Sequence, residues 1–168
     1  SPRVDEARQE RVSALMGLFE ERTVLALASA ATANTEPYAT PLYFAPIEGD
    51  PPLLVFVSHP STTHGQHLGA GPTTIAGCIF GEHTHVAQLR GVQFRGLCIR
   101  EDALPPGHGE RAREAYLLRH PVATPVLEQS KASIYIVALG WAKLTDNRVA
   151  FGHKVIFEFD PPAWVPTS

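Results

Sequence analysis

The sequence predicts a mainly β fold of the α+β class, a closed or nearly closed antiparallel barrel of about seven strands with short peripheral helices. Three observations predict it. Apolar runs of strand length recur between turn clusters along most of the chain, as at Leu53-Leu54-Val55-Phe56-Val57. Some alternate, so that Val92, Phe94, Gly96 and Cys98 share one face of an extended segment. Helical spacing is confined to three stretches.

At 168 residues the chain fits one domain, and a domain of that size buries roughly two-thirds of the surface that its unfolded form exposes. With 44% apolar and 18% charged residues it falls in the globular range, which argues against disorder or a fibrous repeat. A formal charge of -3 with scattered Lys and Arg leaves no footprint for a phosphate backbone, so nucleic acid is not an expected partner. Cys78 and Cys98 form no CxxC pair and lie in apolar, strand-like runs, where a thiol behaves as a small hydrophobe. A reducing cytoplasm is expected.

Taken in order, Val4, Ala7, Val12, Leu15, Met16 and Phe19 follow the spacing of one helical face. Val24 to Ala30 resembles a short export signal, yet acidic Glu20 and Glu21 precede it and it is far too short to span a bilayer. It reads as a buried strand, with no membrane role. Thr32 to Glu36 is turn-like and Pro37 to Pro46 extends again, which makes a hairpin. After the Glu48-Gly49-Asp50-Pro51-Pro52 turn comes the apolar run at Leu53, expected as a central strand. Ser61 to Leu68 reads as a short helix stopped by Gly69-Ala70-Gly71-Pro72. Thr73 to Phe80 and Val86 to Arg100 read as strands, with Gly91 and Gly96 marking bulges or barrel corners. Glu110 to Arg119 is helical until Pro121 and Pro125 stop it. Ile134 to Leu144 and Val149 to Phe159 form a closing hairpin through Thr145-Asp146-Asn147, before a Pro-rich tail.

The motifs of common nucleophile and phosphate sites are missing: no GxSxG elbow, no Walker loop, no HExxH. His83 and His85 would share a strand face, and His64 and His67 a helix face, but neither pair has a third ligand at suitable spacing. No metal is expected. Pro37-Tyr38-Ala39-Thr40-Pro41-Leu42-Tyr43-Phe44 is more informative, because two prolines deny it full ladder pairing and favour an edge or cavity rim. It also reads as an ordinary strand packing two tyrosines. Ser58-His59-Pro60-Ser61-Thr62-Thr63-His64 gathers hydroxyls and imidazoles where a strand ends and a helix starts, which suits an anion or simple capping by Ser61 or Thr62. An aromatic strand beside such a corner suits a planar ring and a phosphate.

These segments, together with Phe56-Val57-Ser58 and Leu89-Arg90-Gly91-Val92-Gln93-Phe94-Arg95-Gly96, resemble the pyridoxamine-phosphate-oxidase-like FMN-binding split barrels over nearly the whole chain. Ala115 to Ala123, Leu144-Thr145-Asp146-Asn147 and Phe151-Gly152-His153-Lys154 are similar to their YhbP-like branch. The resemblance implies a single FMN-binding split-barrel domain over residues 1–160, followed by a tail at 161–168. It implies a homodimer with cofactor sites at the subunit interface and a small-molecule redox substrate. Thr40, Pro41, Leu42, Tyr43 and Phe44 would face the flavin ring, and Val57, Ser58, Thr62, Thr63 and His64, with Arg90 and Lys154, would complete the site. Relatives carry Lys or Arg after this strand to pair the phosphate, where this chain has Ser61 and Thr63. Arg90, Arg95, Lys143 or Lys154, from a partner subunit, or protonated His64 would have to compensate. The alternatives are a non-catalytic binder of flavin, haem or a related cofactor, and a cofactor-free structural dimer.

Overall fold

Val24–Ser29 (β1) and Tyr38–Ile47 (β2) form the expected hairpin, with Ser29 opposite Tyr38 and Val24 opposite Tyr43. Leu53–Ser58 (β3) continues from β2, and Thr73–Phe80 (β4) pairs with the far side of β1. Arg90–Arg100 (β5), Ser133–Asp146 (β6) and Lys154–Glu158 (β7) complete a sheet of order β3-β2-β1-β4-β5-β6-β7. A further antiparallel pairing of β3 with β6 closes the first six strands into a barrel and leaves β7 outside it. This computed structural model describes residues 1–32 and 35–166. Residues 33 and 34 of the expected Thr32–Glu36 turn, and 167 and 168 of the tail, lie outside the described residues.

The alternation of the strands builds the core. Leu25, Leu27, Ile79, Phe94 and Phe56 point inward and are fully buried. The helix Pro2–Glu21 (α1) closes one end with Leu15, Leu18 and Phe19. Its apolar stripe begins to be buried only there: Val4, at the start of the same face, is 65% exposed. At the other end the short helix Thr63–Leu68 (α2) inserts Leu68 into the same core. The helices His108–Arg119 (α3) and Thr124–Gln129 (α4) cover the outer face of β3, of the start of β6 and of the second half of β2, where Tyr116 and Leu127 meet Ala45, Val55, Ile134 and Ile136.

The structure corrects several sequence expectations. Pro125 does not stop a helix but begins α4, because a proline in the first turn lacks only an N–H that would be unpaired there. The strand expected from Val86 starts at Arg90, after a 3-10 turn at Val86–Gln88. The last strand begins at Lys154 instead of Val149, since β6 runs on to Asp146 and the connection is correspondingly later. Of the two expected bulges, the register shifts at Arg95/Gly96 and not at Gly91. A Cβ on Gly96 would lie 2.5 Å from the Ala138 carbonyl, so this irregularity requires glycine. The tail is docked: Val165 is buried against Ile99 and Ala138, and Trp164 packs on His108 at 4.7 Å.

Candidate functional site

β2 changes character in its middle. From Phe44 to Ile47 its ladder is with β3, entered by one bond from Phe44 N to the Thr23 carbonyl, whereas from Tyr38 to Tyr43 its ladder is with β1 alone. The expected rim exists, and Pro41 lies in the Tyr38–Tyr43 half, where a missing N–H is tolerated. Tyr38, Thr40 and Leu42 share the inward parity of the strand, and Ala39, Pro41 and Tyr43 the outward one.

The inward end of that half meets α2. The Tyr38 ring stacks on His64 at 6.5 Å and meets His67 edge-on at 6.1 Å. His64 Nε2 lies 2.5 Å from Ser58 Oγ, at the end of β3, and His67 Nδ1 lies 3.0 Å from Ser29 Oγ, at the end of β1. Three strand ends are thereby tied to one helical turn. Gly65 permits the sharp corner, since a Cβ there would stand 2.6 Å from the His59 carbonyl. Thr62 is the helix cap: its hydroxyl accepts from Gly65 N at 3.0 Å and donates to the His59 carbonyl at 2.8 Å. Its single proton is therefore committed, so its 3.3 Å contact with His64 Nε2 can only be one in which it accepts. Ser61 Oγ binds His59 Nδ1 at 2.6 Å, and Thr63 stays exposed.

Electrostatically this corner is neutral. Burial, and then the neighbouring His67, hold the His64 imidazole below its ordinary value of 6.5, which favours the neutral ring. Arg100 ends β5 at the same end of the barrel, but Asp102 grips it through bonds of 2.6 and 2.9 Å. Among the described residues, no group of three or more His, Cys, Asp and Glu side chains is placed to hold a metal ion.

The structure brings together Ser58, Thr62 and His64 with Tyr38, places Thr40 and Leu42 on the same face of β2 as Tyr38, Pro41 and Tyr43 on the other, leaves Thr63 exposed, and sets three expected site residues elsewhere. The Phe44 side chain is fully buried and meets Phe19 edge-on at 6.4 Å, so it is a core residue. Arg90 and Lys154 pair with Asp146 and Thr145 at the end of β6, while Ser58 pairs with Ser133 at its start. Roughly 40 Å of strand contour separates those ends. Arg90 is, moreover, bound to Glu21 of α1. His83 and His85 share no strand face, because residues 81–85 are irregular and His83 lies 3.4 Å from the Arg22 guanidinium.

Sequence reasoning missed a second cluster on the outward side of β2. His120, which ends α3, donates from Nε2 to the Phe44 carbonyl at 2.7 Å, which fixes its tautomer because a carbonyl can only accept. Its ring contacts Tyr43 at 5.6 Å and Tyr116 at 4.9 Å. Burial, followed by the nearby Tyr43, raises the Tyr116 phenol above its ordinary range. Nothing in the spacing of residues 76 apart announces the bond from His120 to Phe44. Val57 lies half-buried beside the same helix-covered core.

No family model matches the chain. It is 35% identical over 106 residues to UPF0306 protein plu4501 of Photorhabdus laumondii, covering 61% of this chain and 66% of that protein. To UPF0306 protein YhbP of Escherichia coli it is 38% identical over 96 residues, 57% of this chain and 60% of the relative. The chain thus spans just under two thirds of these relatives' own length. Among solved structures, a heme binding protein from Mycobacterium smegmatis superposes with a TM-score of 0.65 at 18% identity, covering 82% of this chain and 53% of that one. A Clostridium acetobutylicum protein related to general stress protein 26, of the pyridoxinephosphate oxidase family, gives 0.62 at 9% identity, covering 89% and 94%. At such identities the structural likeness establishes the fold. Among the described residues, no helix is long and apolar enough to cross a membrane.

Proposed function

From the premise that this chain is a relative of the YhbP-like proteins with a pyridoxamine-phosphate-oxidase-like split-barrel fold, we propose that it binds FMN and serves as a flavin-dependent redox protein for a small-molecule substrate. The observation that carries the reading is the Tyr38–Tyr43 half of β2, whose ladder is with β1 alone. A strand edge with unpaired backbone groups, Thr40 and Leu42 on its inner side and a buried Ser58–His64 pair beside it, suits the polar margin and flat face of an isoalloxazine.

The fit is uneven. The ring side has free backbone donors and acceptors, and only Pro41 lacks its N–H. The phosphate side has Thr63 and the hydroxyls of Ser58 and Thr62, two of which already serve His64 and the helix cap. A dianion held by neutral donors forfeits charge-assisted bonds of roughly 1.5–3 kcal/mol each. In this reading a homodimer forms the complete site at its subunit interface. When bound, FMN supplies the electron and hydride chemistry, and the protein contributes orientation, hydrogen bonds and exclusion of water. Ser58 and His64 orient the corner, and Tyr38 covers both imidazoles.

The test uses the purified chain with FMN added in a titration. Flavin absorption bands, saturable quenching of flavin fluorescence and a rise in melting temperature are expected, since a ligand that binds only the folded state stabilises it by about 2.7 kcal/mol at a hundredfold excess over Kd. Absence of all three refutes the reading. A second reading, haem binding without catalysis, is favoured by the fold shared with the mycobacterial heme binding protein. It predicts a Soret band that shifts in His64→Ala, and no flavin bands.

A further inference from the structure

β7 lies outside the closed barrel, and in the sheet order nothing follows it. Phe159 donates to the Gly140 carbonyl at 3.0 Å and Asp146 to the His153 carbonyl at 2.9 Å, which fixes the phase of the ladder between β6 and β7. Residues of an antiparallel pair bond alternately toward the neighbour and away from it, so Val155 and Phe157 turn their backbone groups to β6, and Lys154, Ile156 and Glu158 turn theirs to the open side. Among the described residues only one of those outward groups has a partner, the Glu158 carbonyl, which accepts from Arg8 of α1 at 3.1 Å. An open edge of this kind is a template for another strand.

The same bond shows what stands beside the edge. Arg8 also binds Asp50 at 2.9 Å and lies 5.3 Å over the Phe159 ring, so it clamps the first half of α1 alongside β7. Between helix and strand runs a groove of about 400 Å³, with Arg3, Val4, Ala7 and Arg11 on the helix wall and Ile156 on the strand wall. Val4 and Ile156 are 65% and 60% exposed, and Arg3 and Arg11 make no ion pair among the described residues. Asp5, Glu6 and Glu10 of α1 do not line it. The wall is basic at both ends and apolar in between.

We infer that this groove receives an extended, acidic segment of another protein, which adds a strand to the open edge of β7. Backbone pairing with Lys154, Ile156 and Glu158 supplies affinity, and the helix wall supplies the choice of sequence. Arg3 and Arg11 are eight residues apart, about 12 Å along a helix. Side chains i and i+4 of a strand share one face and lie about 13 Å apart, with i+2 between them. The matching segment is therefore acidic-x-apolar-x-acidic, its carboxylates on Arg3 and Arg11 and its apolar residue on Val4 and Ala7. A second copy of the chain is a poor occupant, since it would set the same basic wall against this one. No residue of the Tyr38–His64 corner lines the groove, so the inference stands apart from flavin binding.

The experiment titrates the full chain with the acetylated and amidated peptide Thr-Glu-Thr-Val-Thr-Glu-Thr, and with its counterpart carrying Lys for both Glu, while backbone amide exchange is followed by NMR. The acidic peptide is expected to saturate and to bind about tenfold more tightly than the basic one, the range of two exposed ion pairs. That preference should shrink as salt is added. The Ile156 amide, open in the free chain, should exchange about tenfold more slowly or better in the complex. Ile156→Pro removes only an N–H that points away from β6, so it should keep its melting temperature and lose the peptide. Arg3→Glu combined with Arg11→Glu should reverse the preference between the two peptides, and this reversal decides the matter if Ile156→Pro does not fold. No saturable binding, equal affinity for both peptides, an unreversed preference in the arginine variant, or wild-type binding by a folded Ile156→Pro overturns the inference. So does an Ile156 amide that is protected in the free chain and opens on dilution, which would give the edge to a second copy.

Discussion

The two halves of β2 have similar sequences and opposite physical situations. From Phe44 to Ile47 the strand pairs with β3, Phe44 and Ala45 are buried on opposite faces, and α3 lies above. From Tyr38 to Tyr43 it has one ladder, and its outward residues are exposed. An aromatic residue in the first situation contributes to folding, and one in the second is available to a ligand or a partner. What covers the two faces of the strand, and not the residue type, makes the difference.

The sharpest way to break that comparison is to truncate adjacent aromatics. Phe44→Ala removes a fully buried ring that meets Phe19 and lies 5.1 Å under the Arg119 guanidinium, and should cost about 3–5 kcal/mol. Tyr43→Ala, one residue away and 61% exposed, should cost under about 1 kcal/mol. Denaturant midpoints for the two variants measure the contrast, and equal losses would show that the halves are not distinct.

The junction itself is the next test. His120 binds the Phe44 carbonyl at 2.7 Å and packs between Tyr43 and Tyr116, so His120→Ala leaves a carbonyl without that donor and loosens α3. About 1–3 kcal/mol should be lost. Hydrogen exchange should rise at Phe44 and along α3 more than at Tyr38; a uniform rise would mean that the junction does not separate the two halves.

Most of this fold is legible in the sequence, because period-two alternation and turn residues determine which segments become strands. The hairpin of β1 with β2, the central β3 and the long β5 all follow from it. α4 is hidden because Pro121 and Pro125 look like stops, although a proline in the first helical turn costs little. The site is legible only by halves. The prolines around Tyr38 announce a rim, and the Ser58 to His64 corner announces polar groups, since both are local signals. That Phe44 turns into the core, that Arg90 ends at the other mouth of the barrel and that His120 reaches Phe44 are consequences of closure, which residue order does not display.

The smallest effect concerns the corner that the rim rests on. Burial, with His67 beside it, depresses the His64 pKa in the folded chain, while the unfolded chain keeps the ordinary value near 6.5. The unfolded state therefore binds this proton more readily. Stability due to neutral His64 is complete above pH 6.5 and is lost as pH falls toward the folded pKa, with a slope of at most about 1.36 kcal/mol per pH unit for one proton. Ser58 gains nothing from the change, because its short bond to Nε2 already exists with the neutral ring. His64→Gln retains a polar partner for Ser58 and cannot titrate, so the difference between its stability profile and that of the wild type isolates this one group from the other histidines. The expected difference grows only below pH 6.5. Parallel profiles across that range would mean that the Tyr38 rim rests on an ordinary, solvated imidazole, and the distinction between the two ends of β2 would then be one of packing alone.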